Sequence, residues 1–196
     1  MKTTTKTKAL TLALCALLLA AATALTSLAF LKSYDAVNNT FTVGKVAITL
    51  DEAKVDEYGT ADTAAGRVKQ NTYKLVPGHR YTKDPTVHFA AKSEASYLFV
   101  KVENGLSAIE AGTTIEGQIL ANGWKKLNET NGIYYKKVGA NQTNSAVDYP
   151  VFAEFTVAGT ADITGYETAE INVTAYAVQS DGFNTAWAAW SAGGFE

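Results

Sequence analysis

The sequence predicts an all-β domain, an antiparallel sandwich with one or two short helices, behind an N-terminal signal peptide. Three observations carry this reading. Short segments alternate apolar and polar residues with period two, which suits strands buried on one face. Gly, Asn and Pro turn signals separate those segments. The one long apolar run lies within the first thirty-one residues, and the pattern turns polar immediately after it.

Lys2, Lys6 and Lys8 form a basic start, and residues 9–31 form a run dense in Ala and Leu. A charged n-region followed by an apolar h-region is the layout of an export signal. Ala22, Ala24 and Ala29 offer the small residues that cleavage needs, and Leu28, Ala29 and Phe30 form the expected cleavage region. A run of about 23 residues is also long enough to span a bilayer, so an uncleaved signal anchor is the rival reading. Cys15 follows bulky Leu14 where a lipoprotein carries a small residue, so it reads as an ordinary h-region residue. The expected organisation is a signal at 1–28, an N-terminal strand at 29–43 and a sandwich domain at 44–196. After cleavage the protein is expected outside the cytoplasm, with no stable membrane insertion.

Removing residues 1–28 takes three of the 17 basic residues and none of the 19 acidic ones, which leaves a net charge of −5. No basic patch remains, so nucleic acid is not an expected partner. The remainder has no cysteine and can form no disulfide or thiolate metal site.

The elements follow in chain order. In 40–50, Phe41 and Val43 hold one parity and Val46, Ile48 and Leu50 the other. The slip at Gly44-Lys45 marks a bulge or the meeting of two separate strands. Residues 52–70 read as a mobile loop. Pro77-Gly78 suits a type II turn. Asp84-Pro85 starts a strand in which Val87 and Phe89 alternate with Thr86 and His88. Leu98, Val100 and Val102 alternate with Phe99, Lys101 and Glu103. Asn104-Gly105, Asn122-Gly123 and Asn131-Gly132 are turn signals. Ile115, Ile119 and Leu120 predict a helix over 113–121. Residues 133–138 are an aromatic-rich strand candidate. Val151, Ala153, Phe155 and Val157 predict one strand, and Ile171, Val173, Ala175 and Ala177 another. Phe183, Trp187 and Trp190 recur at helical spacing, with Asp181 or Asn184 as caps. This last helix is expected to act as a lid on one end or edge of the sheets. An eight-stranded jelly roll and an immunoglobulin-like sandwich both fit, and the Cys-Trp-Cys hallmark of true immunoglobulin domains is absent.

No catalytic kit is visible. A zincin needs two His one helical turn apart with Glu between them, whereas His79 and His88 are nine apart on strand-like sequence. There is no Gly-x-Ser-x-Gly elbow, Gly-rich phosphate loop or EF-hand pattern, and no cofactor is expected. Asp51-Glu52 and Asp56-Glu57 are acidic pairs able to bind calcium weakly, and a solvated loop explains them more simply. Asn38, Asn128, Asn141 and Asn172 head glycosylation triplets. Trp124, Tyr134 and Tyr135 could form a carbohydrate platform, against the simpler reading of cross-strand packing.

Three blocks resemble the TasA/camelysin family of secreted Gram-positive proteins. One is Leu28-Ala29-Phe30 with Tyr34-Asp35-Ala36-Val37-Asn38-Asn39-Thr40-Phe41-Thr42-Val43-Gly44-Lys45-Val46 and Ile48-Thr49-Leu50-Asp51-Glu52. The second is residues 75–85, and the third is residues 96–102. Ala175-Tyr176-Ala177-Val178-Gln179, Gly182-Phe183 and Ala189-Trp190 resemble the tail of smaller members. Leu31-Lys32-Ser33 departs from the family's usual start, where an aromatic followed by Thr/Asn-Asp is commoner. The resemblance implies a jelly-roll-like sandwich, a SipW-type signal cut by a dedicated signal peptidase, and a role in biofilm matrix fibres. It implies that residues 29–43 of one subunit complete a sheet of the next. Phe30, Tyr34, Val37, Phe41 and Val43 are the expected polymerisation anchors. The expected partners are further copies of the chain and matrix or cell-surface proteins. Two alternatives stand beside this non-enzymatic reading. One is a secreted metallopeptidase, as the family has also been filed with those enzymes. The other is a monomeric cell-surface binding module using Trp124, Tyr134 and Tyr135.

Overall fold

The computed structural model of the chain describes residues 12–16, 44–128 and 132–195. The chain divides into two units, residues 1–42 and 43–196. Of the first, residues 12–16 are described, a helical turn with exposed side chains. No helix among the described residues is long and apolar enough to cross a membrane.

The second unit is all-β. Its strands are β1 (Ile48–Asp51), β2 (Arg80–Thr82), β3 (Thr86–Phe89), β4 (Ser96–Asn104) and β5 (Lys125–Lys126), followed by β6 (Ile133–Val138), β7 (Val147–Pro150), β8 (Glu154–Thr156) and β9 (Ile171–Gln179). Three antiparallel sheets result, in the orders β1-β3-β7, β2-β8 and β5-β6-β4-β9. Two helices join them, α1 (Ile115–Ala121) and α2 (Ala186–Gly193).

Side chains of all three sheets converge on one core, with Val87 and Phe89 of β3, Leu98 and Val100 of β4, Tyr134 and Val138 of β6, and Phe155 of β8. Strand β4 is buried at five successive residues, Ser96 to Val100. Period-two alternation explains this only if both faces are covered. Leu98 and Val100 enter the main core, while Tyr97 and Phe99 enter a second core under α2. There Trp190 meets Phe99 edge-on at 5.2 Å and Tyr176 at 5.4 Å, a favourable geometry for ring quadrupoles.

Local chemistry sets the element ends. Thr114 caps α1 by accepting from the Gly117 N–H at 3.1 Å, which stabilises such a terminus by about 1 kcal/mol. The cap of α2 is Thr185, accepting from Ala188, rather than Asp181 or Asn184. Gly78 has φ +78°, and His79 N–H donates to Val76 O at 3.1 Å, as a Pro-Gly type II turn requires.

Four expectations need correction. Helix α2 lies on the face of the four-stranded sheet, not at an end or edge, and its Trp187 is 55% exposed. The predicted strand 151–157 is shortened to 154–156, because Val151 and Phe152 dip into the core between the end of β7 at Pro150 and the start of β8. The parity slip at Gly44 is no bulge within a strand, since Gly44 to Ala47 precede β1 without strand structure. Residues 52–70 are pinned rather than loose. Glu52 exchanges backbone bonds with Val68, Val55 bridges Ala61, and Asn71 bonds Glu52, Val55 and Ala53.

Candidate functional site

The two sides of the domain differ in how the sheets end. On the β7 side the edge is closed by side chains. Trp124 Nε1 donates to Pro150 O at 2.9 Å, and Asn122 Nδ2 donates to Val151 O at 3.0 Å. Lys136 lies 5.6 Å from the Trp124 ring centre and 5.5 Å from that of Tyr149, and burial lowers its pKa. These contacts satisfy backbone groups that an open edge would leave to another chain.

On the opposite side two strands approach each other without pairing. They are β1 and β9, each the last strand of its own sheet. Ser180 N–H donates to Ala95 O and Gly105 N–H to Glu170 O, one at each end of the β4–β9 ladder. Bonded pairs alternate in an antiparallel ladder. Asn172, Thr174, Tyr176 and Val178 therefore turn their backbone groups toward β4. Ile171, Val173, Ala175 and Ala177 turn theirs outward, and among the described residues nothing pairs with them. The side chains of those same four residues face the main core yet are only half-buried, whereas Leu98 and Val100 beside them are 0% exposed. Strand β9 is thus an edge strand with free backbone groups and a partly exposed apolar flank, next to but not paired with β1.

A cleft of about 890 Å³ opens at the start of this edge. One wall is the end of β1 and residues 69–75, with Leu50, Lys69, Tyr73 and Leu75. The other is residues 163–173, with Ile163, Tyr166, Glu167 and Glu170. The edge of β1 is less free than that of β9. Lys69 Nζ occupies the Leu50 carbonyl, and Val68 pairs with Glu52. Lysine at an edge is a common block to strand addition.

Charges brace the first wall. Lys83 Nζ meets Glu52 at 2.7 Å with both side chains nearly buried, and Asn71 Nδ2 donates to the other Glu52 oxygen at 2.9 Å. Arg67 bridges Asp51 and Asp84, which ties residues 52–70 to the sheet. His88 stands between Asp148, 2.6 Å from Nδ1, and Asp51, 2.8 Å from Nε2. A neutral imidazole has one N–H, so two carboxylate partners call for the imidazolium. Burial works against that charge, and the bonds to Asp51 and Asp148 outweigh it, raising the pKa of His88 above 6.5. Burial likewise opposes the Asp51 carboxylate, and its bonds from His88 and Arg67 lower its pKa.

The signs give a prediction. A raised histidine pKa contributes stability that is complete below about 6.5 and is lost as pH climbs through the folded value. A depressed Asp51 contributes stability above about 3.9 that is lost as pH falls through its folded value. The melting temperature is expected to decline from pH 6 to pH 9, and His88→Gln to flatten that decline. Calorimetry across this range checks it, and an unchanged slope in the variant would show that His88 is not the titrating group.

The residues singled out in the sequence fare unequally. Leu28, Ala29, Phe30, Tyr34, Val37, Phe41 and Val43 lie outside the described residues. The proposed sugar platform does not form, because Trp124 and Tyr134 are 1% and 5% exposed in the main core and Tyr135 packs on the opposite face. His79 and His88 have separate partners, His79 Nε2 meeting the Tyr58 carbonyl and His88 the Asp51 and Asp148 carboxylates. Asp56 accepts from the Tyr58 and Thr60 N–H groups of its own loop. Among the described residues no three His, Cys, Asp or Glu side chains converge as metal ligands. Asn141 is 5% exposed and donates to the Phe89, Ala90 and Ser145 carbonyls, so its amide is a core strut unsuited to glycosylation. The free β9 edge was missed. The alternation of Ile171 to Ala177 was legible, but a strand's place in its sheet is set by pairings distant in sequence. Comparison of the chain with protein-family models, characterised proteins and solved structures gives no match.

Proposed function

We propose that this chain is a secreted, non-enzymatic structural subunit that assembles head to tail by strand addition, forming fibres of an extracellular matrix. In this reading the domain is a jelly-roll-like sandwich, and export removes residues 1–28. Residues 29–43 of one copy enter the β1–β9 side of the next. The observation that carries the reading is the β9 edge, with outward backbone groups and half-buried apolar side chains beside an open cleft. The resemblance of residues 28–52 to the TasA/camelysin family supports it independently.

The lengths agree. Fifteen extended residues span about 50 Å, and a nine-residue β9 needs about 30 Å. Main-chain bonds would supply affinity and alternate side chains the fit. Such a contact does not close on itself, so it propagates.

The test compares chains 29–196 and 44–196 by sedimentation and electron microscopy. The longer chain is expected to form large, concentration-dependent species, and the shorter to remain monomeric. Equal assembly by both would end the strand-addition reading.

A further inference from the structure

We propose that Lys83 and Asn71 join in an intramolecular isopeptide bond, with Glu52 carrying the protons, so that the domain is stapled without cysteine. The reaction stands apart from strand addition, because every reacting group belongs to one copy of the chain.

Glu52 is 4% exposed, and its two oxygens hold two different groups. Lys83 Nζ donates to Oε2 at 2.7 Å, and Asn71 Nδ2 donates to Oε1 at 2.9 Å. One carboxylate thus holds an amine and a carboxamide together. The backbone fixes all three. Glu52 exchanges two bonds with Val68, and Lys83 N–H donates to Ala153 O at 3.1 Å. The Asn71 amide is held at both atoms, with Nδ2 also donating to Ala53 O at 2.8 Å and Oδ1 accepting from the Val55 N–H at 3.0 Å. The Lys83 side chain is 11% exposed, and its Nζ lies 5.8 Å from the centre of the Tyr73 ring. Burial, and after it the Glu52 charge, pushes the Tyr73 phenol above its ordinary value, which marks these surroundings as poorly solvated.

A charged lysine is no nucleophile, because its lone pair holds a proton. In a buried ion pair both charges lose hydration, and passing one proton from Lys83 to Glu52 leaves two neutral groups. The freed Nζ lone pair then attacks Asn71 Cγ, and the carbonyl electrons move onto Oδ1. The Val55 N–H already donates there, and a fixed backbone donor of this kind stabilises a developing oxyanion. Glu52 hands its proton to Nδ2 and takes a second from Nζ. The carbonyl re-forms, the Cγ–Nδ2 bond breaks, and ammonia leaves with that second proton as ammonium. An ammonium and a carboxamide have become a secondary amide and an ammonium ion. No oxidant is consumed, and Glu52 ends as the carboxylate it began as. All three side chains line the cleft, which gives the ammonia a way out. The bond would close residues 71–83 into a loop and tie that wall of the cleft to the end of β2, which restricts the unfolded chain as a disulfide does.

Tryptic peptides of the full chain read the bond. Without it, Asn71 and Lys83 fall in separate peptides, 70–74 and 81–83. With it, cleavage after Lys83 is blocked, and 70–74 is joined to 81–92 in a species lighter than the two by one ammonia. The joined species is expected from the folded chain, with fragment ions placing the link between Asn71 and Lys83. Glu52→Gln and Lys83→Arg are expected to yield separate peptides. Lys83→Arg keeps the ion pair, and its melting midpoint is expected roughly 5–10 °C below the parent through loss of the link. Separate peptides alone from the folded parent, after days in buffer, overturn the proposal. Loss of ammonia confined to 70–74 marks ring closure of Asn71 on its own backbone and overturns it too. A link that forms fully in Glu52→Gln overturns the role of Glu52. The parent digest decides by itself should a variant fail to fold.

Discussion

Val173→Pro is expected to leave the domain folded and to abolish its assembly. Proline removes a backbone donor and is tolerated in sheets only where that donor faces away from the ladder. The Val173 N–H points to the free edge, so the β4–β9 ladder keeps all its bonds. Proline is also close to valine in volume, which spares the main core. A second strand at this edge would lose a hydrogen bond and meet the ring. Thr174→Pro is the control. Thr174 opposes Lys101 in a bonded pair, so proline there orphans a carbonyl, at about 1–3 kcal/mol, and breaks the ladder. Circular dichroism melts and sedimentation separate the two effects. Val173→Pro should melt like the parent and stay monomeric, and Thr174→Pro should melt early. Fibres from Val173→Pro would show that β9 is not the receiving edge.

Trp124→Ala is expected to destabilise the domain by about 3–5 kcal/mol. Trp124 is among the largest fully buried side chains, at 1% exposure. Its loss opens a cavity, leaves the Pro150 carbonyl without its donor and removes the ring that Lys136 packs on. Against a typical total of about 5–15 kcal/mol, that is a large share. Trp187→Ala is the matched control. It is 55% exposed on α2, and a surface change of this kind falls within about 0.5 kcal/mol. Denaturant midpoints read both. Similar midpoints for the two variants would mean that the β7 side is not closed by the tryptophan.

These two tryptophans show where the sequence was legible. Trp187 and Trp190 share a helical spacing, and nothing local says that only Trp190 reaches Phe99 and Tyr176. Trp124 follows a Gly turn and reads as a surface aromatic, until β7 arrives from 26 residues further on to accept its N–H. Alternation within one strand survives in the fold, as Val87, Phe89, Leu98, Val100 and the 171–177 row demonstrate. It fails where the chain changes sheet, as at Val151 and Phe152. Residues 52–70 looked loose because their order comes from Arg67, Asn71 and Glu52 reaching partners up to 31 residues away. The same limit hid the candidate site. An edge is a property of the sheet, so the alternation of residues 171–177 could be read from sequence while the free side of β9 could not.

The most direct test of strand addition is amide hydrogen exchange on the 44–196 chain, with and without a synthetic peptide of residues 29–43. Without peptide, the amides of Asn172, Thr174, Tyr176 and Val178 should be protected by β4, and those of Ile171, Val173, Ala175 and Ala177 should exchange quickly. With peptide, the second set should become protected while the first is unchanged. An edge that stays fast at saturating peptide, or protection appearing only at β1 or β7, would contradict the account.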